Sequence, residues 1–273
     1  MTPTYRRVIG IDMAVDRRSV AVARATWVEA EGRFVVDELA IGADQPVPPG
    51  PDDRLLQTIG AIAPIIRSMV SGPTLVAMDA PLGWPAALAT ELATHVAGRP
   101  LSLPSVDRDQ LFVRRTDREI TERFGRVGLA MRPLEVGADR IARTAQAALA
   151  LLHAACPGAP VLWPAEPAPP VAVVETYPAA TLAALRGSRA RGYKGAKGTD
   201  ARVVLFASLI ELAEAGEPRV LTDFAAPCRG SDHALDAVVC ALGGIDVAQG
   251  RARAPDVVDD VLRREGWIWV RDP

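Results

Sequence analysis

The sequence predicts an α/β fold, a mixed five-stranded sheet in the order three-two-one-four-five with helices on both faces. Two observations point to it. The chain opens with three short, β-branched runs joined by tight polar links, the pattern of an antiparallel meander. Helical periods then alternate with two further strands, so a helical crossover makes the first and fourth strands parallel.

The elements follow in order. "RVIGIDMA", "RSVAVARATWV" and "GRFVVDELAIG" are the meander. Prolines in "ADQPVPPGPDD" break regular structure, and Leu55, Leu56, Ile59, Ile62, Ile65, Ile66 and Met69 then keep a helical period. "GPTLVAMDAPLGWP" is the fourth strand, ending at Asp79, with a helix from about Pro85 to Val96 behind it. Residues 98–137 are polar and read as a helical insertion. An alanine-rich helix is expected from about Ala138 to Ala155, then a proline-rich link, the strand "VAVVETYP" and a short helix from Ala179 to Leu185. The basic, glycine-rich "RGSRARGYKGAKG" leads to helices at about Thr199–Ala215 and Ser231–Leu242, and "GWIWV" reads as a last strand. Apolar patterning resumes after each proline-rich stretch, so residues 1–273 are expected to form one domain.

Composition excludes several classes. With 31 basic and 33 acidic residues the net charge is −2, so a polyanion such as nucleic acid must be held by local patches. Three scattered cysteines and three histidines suit neither a disulfide framework nor a zinc site. No apolar run is long enough to span a membrane, and the start lacks a signal-peptide pattern, so a reducing, cytoplasmic setting is the expectation. Nothing in the sequence sets an oligomeric state.

The carboxylates carry the functional expectation. Asp12, Asp79 and Glu175 each fall at the carboxyl end of a strand, where open α/β sheets bind ligands. The predicted order sets Asp12 beside Asp79 on strands ~4.8 Å apart. Two carboxylates at ~4 Å repel by about 4 kcal/mol at an effective dielectric near 20. In "GSDHALDAVVCAL", Ser231 is a good N-cap, and Asp232 and Asp236 stack one turn apart on an otherwise apolar helix. Each acid alone has a local explanation, as a turn residue or a first-turn helix acid. Asp12, Asp79, Asp232 and Asp236 together ask for a cation, and oxygen-only ligands suit Mg²⁺ or Mn²⁺. His233 lies one position off the face of the two aspartates and is discounted. Arg114 and Arg115 could grip a phosphate, while Thr116 with Glu119 reads as a capping box. Tyr193 could stack on a base and Lys194 contact a backbone phosphate.

The succession "GIDMA", "MDAPLGW", "RRTD", "VETYPAA", "RGYKG", "SDHALDAVVCAL" and "EGWIWV", from about Val8 to Val270, resembles a bacterial and archaeal family of unknown function, DUF429, described as predicted ribonuclease-H-like nucleases. The resemblance implies a ribonuclease-H-like sheet, with Asp12, Asp79 and the acids of the last helix at the metal-binding positions of that superfamily. Glu175 is a position this family adds. The activity implied is divalent-metal-dependent phosphodiester cleavage, with Asp12 as the bridging ligand of two ions. Two other classes stay open: an ATP-using enzyme of the actin and sugar-kinase type, and a non-catalytic nucleic-acid-binding module. Against the first, Asp12 is followed by "MAVDRR" and not by a phosphate-gripping Gly, Ser or Thr turn.

Overall fold

The computed structural model describes residues 2–99, 108–137, 139–188 and 190–273. Part of the expected insertion, the expected helix start at Ala138 and Arg189 of the basic loop lie outside the described residues.

The sheet is mixed. Strands β1 (Arg7–Asp12), β2 (Ala21–Val28) and β3 (Arg33–Ile41) form the antiparallel meander. β4 (Thr74–Asp79) and β5 (Val171–Glu175) add in parallel beside β1, giving β3-β2-β1-β4-β5. A sixth strand, β6 (Arg219–Val220), pairs in parallel with β3 and extends the order to β5-β4-β1-β2-β3-β6. Sequence pattern missed β6 because two residues carry no period.

Each helix begins where local chemistry allows. In α1 (Arg54–Met69) the Asp53 carboxylate accepts from the Leu56 N–H, satisfying one orphan donor of the first turn. α2 (Ala86–Leu92) is shorter than expected. α3 (Arg115–Arg126) supplies Ile120 and Phe124 to a small core with Met131, Ala180, Ala183, Ile268 and Val270, so the insertion is packed onto the body of the chain. Its cap differs from the expected one. The Arg114 N–H donates to Asp117, while the Thr116 hydroxyl accepts from the Ile268 N–H at 2.7 Å. Helices α4 (Asp139–Ala155), α5 (Pro178–Arg186), α6 (Thr199–Leu212), α7 (Ala225–Gly230), α8 (Asp232–Ala248) and α9 (Asp260–Glu265) complete the chain.

"GWIWV" does not form the expected strand. Ile268 makes a single parallel bridge to Glu175, and the Trp269 N–H donates to the Glu175 carbonyl at 2.9 Å. The Ile268 N–H, on the side away from β5, donates to the Thr116 hydroxyl of α3 and not to a further strand. Trp267 and Trp269 are buried as packing residues.

Two layers of helix sandwich the sheet, and the period of two sorts side chains between them. Ile9, Ile11, Val76, Met78 and Val173 face α1 and α4. Val8, Leu75, Ala77, Ala172 and Val174 face α8, whose residues 234–246 are all buried. α8 lies closely on β1 because of Gly10: a Cβ there would stand 2.2 Å from the Ala241 nitrogen and 2.3 Å from the Ala237 oxygen. Only glycine permits that approach. Among the described residues no helix is long and apolar enough to cross a membrane.

Candidate functional site

Asp12 and Asp79 are the last residues of β1 and β4 and stand opposite each other in register. Alternation turns both towards α8, since Gly10 and Ala77, two positions earlier, face it. Asp236, one turn into α8 and fully buried, lies on the same side, near enough for its charge to act on Asp79. Ser231 fixes the start of that helix, its hydroxyl accepting from the Ala234 N–H at 3.3 Å.

Burial and like charge act together on the three. Burial first, then Asp12 and Asp236, push Asp79 well above the carboxylate range. Burial and Asp12 push Asp236 up to about 7. Asp12 is raised by burial, against the opposing contact with His233. Like charges in a low-dielectric site cannot all ionise without a proton or a cation.

Part of that cation is Lys194. Its ammonium is paired with Asp236, whose other oxygen accepts from the Tyr193 hydroxyl at 3.1 Å. These carboxylates hold Lys194 above its ordinary pKa, outweighing desolvation. The loop that carries it is built for the task. The Gly195 N–H donates to Asp232 at 3.0 Å, and its φ of +71° is a left-handed conformation that a side chain would strain. Buried Arg202 donates to the Tyr193 and Gly195 carbonyls, each at 2.7 Å.

His233 is the residue that sequence reasoning discounted. Its Nδ1 lies 2.7 Å from Asp12 Oδ2, and that bond is the leading cause of its raised pKa. One position along the helix from Asp232 does turn a side chain by about 100°, but here that turn leads to the β1 tip.

Several expected site residues do other work. Glu175 is opposite Met78, not Asp79, so its side chain falls on the other face of the sheet. There Arg114 grips it in a buried fork, with bonds of 2.8 and 2.7 Å, and the Leu82 N–H donates to it at 3.1 Å. Arg114 is no phosphate contact. Its five N–H donors all go to Glu175, Asp117 and the Glu265 carbonyl. Arg115 pairs with Asp259 at 2.9 Å, and its backbone N–H donates to Glu265. The Tyr193 ring is buried in the core and its hydroxyl holds Asp236, so it offers no face to a base. Asp232 stands a turn out from the cluster, partly exposed. There the Gly195 N–H and nearby His233 and Lys194 outweigh desolvation and keep its pKa low.

The donor set suits a hard divalent ion: oxygens of Asp12, Asp79 and Asp236, desolvated and carrying excess negative charge. Among the described residues no three His, Cys, Asp or Glu side chains form a ready-made metal cage. The Lys194 ammonium is paired with one oxygen of Asp236.

Fold and site together define a class: mixed α/β proteins that gather carboxylates from two adjacent strand tips and a central helix. The chain belongs to DUF429, a family of proteins of unknown function, whose model matches residues 10–260 and so takes in Asp12, Asp79, Glu175, Asp232 and Asp236. No curated protein and no solved structure matches the chain.

Proposed function

We propose that the chain is a divalent-metal-dependent phosphodiester hydrolase, a nuclease on a ribonuclease-H-like fold. The observation that carries this reading is the register of Asp12 beside Asp79 at adjacent strand tips, with buried Asp236 of α8 near enough to raise the proton affinity of Asp79. The run β3-β2-β1-β4-β5 with α8 across it supports the fold assignment.

Asp12, Asp79 and Asp236 would hold Mg²⁺ or Mn²⁺, with Asp232 one turn out on the same helix. When bound, such an ion lowers the pKa of an attacking water and offsets the charge on the leaving oxygen. The chain supplies the rest. His233 holds Asp12 through the bond at its Nδ1. Lys194, released from Asp236, places an ammonium where a phosphate oxygen can accept from it. Tyr193 keeps Asp236 oriented through that exchange.

The test is Mn²⁺-dependent cleavage of single-stranded and duplex nucleic acid by the full chain and its Asp79→Asn variant. Asp79→Asn should fold with an unchanged melting temperature and lose activity by about 100-fold or more. Full activity in that variant, or no cleavage by the parent chain with either ion, contradicts the proposal.

A further inference from the structure

Beside Asp79 and Lys194 opens a cavity of about 400 Å³ whose shape and lining bear on the substrate. It lies beyond the tips of β4 and β5, roofed by the segment after α3 and by α4. Its walls are Pro133, Leu134, Ile141, Tyr177, Pro178 and Ile268. The size is that of cavities which take one small organic ligand. The charge is wrong for a duplex groove, which needs several cations tracking successive phosphates. Of the cations that line it, Arg114 has no donor left, and Arg132 and Lys194 remain. Cationic groups therefore stand at the rim, an apolar wall that includes the Tyr177 ring stands inside, and the acid cluster closes one end.

We propose that this cavity binds a single nucleoside phosphate unit, with its base against Leu134, Ile141 and Tyr177 and its phosphate towards Asp79 and Lys194. The substrate is then a free nucleotide or the terminal nucleotide of a single strand, and not the interior of a duplex. The placing of the phosphate rests on the metal-site reading above; the base pocket stands on the cavity alone. Base contacts of this kind are sequence-tolerant, because every base presents a π-face and an apolar edge.

Calorimetric titration of the full chain in Mn²⁺ tests it, with adenosine 5′-O-thiophosphate as probe and ribose 5-phosphate as the control lacking a base. The base-bearing probe should bind at least about tenfold tighter. Ile141→Trp, which fills the cavity, should remove that preference and leave Mn²⁺ affinity unchanged. Leu134→Glu should do the same at a position that is 67% exposed and so cannot unfold the chain by overpacking. Equal binding of the two probes, or a preference that survives both variants, overturns the proposal. A base preference without Mn²⁺ binding supports the pocket and sinks the metal reading; Mn²⁺ binding without a base preference does the reverse. Displacement of the probe by a 5′-phosphorylated single-stranded hexanucleotide supports a strand end as the source, and its absence supports a free nucleotide. Equal displacement by covalently closed circular duplex overturns both.

Discussion

Lys194 sits where the chemistry of the site turns. Three carboxylates share one side of the sheet edge; the Lys194 ammonium pairs with Asp236, and the His233 ring bonds Asp12. At an effective dielectric near 20, an ammonium ~4 Å from a carboxylate is worth about 4 kcal/mol, enough to compete with an incoming ion for Asp236. Lys194→Met should therefore tighten Mn²⁺ binding by about tenfold in a calorimetric titration, while any phosphodiester cleavage weakens. Weaker Mn²⁺ binding would mean that Lys194 organises the acids and does not compete for them. Tyr193 and Arg202 hold the other side of this contact, Tyr193 through the bond to Asp236 and Arg202 through the loop carbonyls.

At the scale of elements, glycines on both sides of the contact seat α8 on the sheet, Gly10 on β1 and Gly244 on the helix. Gly10 lets α8 rest on β1, and Asp236 lies on the helix that this contact positions. Gly10→Val should cost about 3 kcal/mol in denaturant unfolding, because backbone atoms of α8 would have to move away from β1. A loss within experimental error would show that the helix is not held there. Much of this layer was legible in the sequence. Short β-branched runs, the Ser231 cap and the helical periods mark the meander, α1, α4 and α8, and Asp12 beside Asp79 follows from the strand order. Glu175 was misplaced for a physical reason. Strands buried on both faces are apolar at every position, so the face on which an end residue emerges depends on register with the neighbour. Glu175 opposite Met78 is a register that no pattern within β5 encodes. "GWIWV" keeps only one bridge to β5, since its other contacts are the packing of Trp267 and Trp269 and the bond from Ile268 to Thr116. The glycine in "RVIGID" was a signal within reach, since glycine inside a strand marks a close backbone approach.

For the molecule as a whole, an ionic network far from the acids ties the chain's end to the body. Arg271 forks onto Glu217 at 2.7 and 3.0 Å and reaches Asp246 of α8 at 2.8 Å, with Arg251 pairing with both acids. The Arg271 bond leads the causes that lower the Glu217 pKa, against desolvation. A lowered folded-state pKa stabilises above the unfolded value and loses that stability as pH falls through the folded one. Glu217→Gln should thus cost about 1 kcal/mol near neutrality. The gap to the parent chain should close as pH drops below about 4.5, the ordinary value for glutamate. Thermal melts across that range check it, and a gap that widens on acidification would contradict the sign. With this network and the sheet holding the frame, the cost of gathering like charges at one edge is carried by the whole fold.

The most direct measurement is a crystal of the full chain soaked in Mn²⁺ and examined by anomalous scattering. The account predicts a peak about 2.0–2.4 Å from oxygens of Asp12 and Asp79, with Asp236 turned to it and Lys194 moved off. No peak there, or one elsewhere with Lys194 still on Asp236, would contradict it.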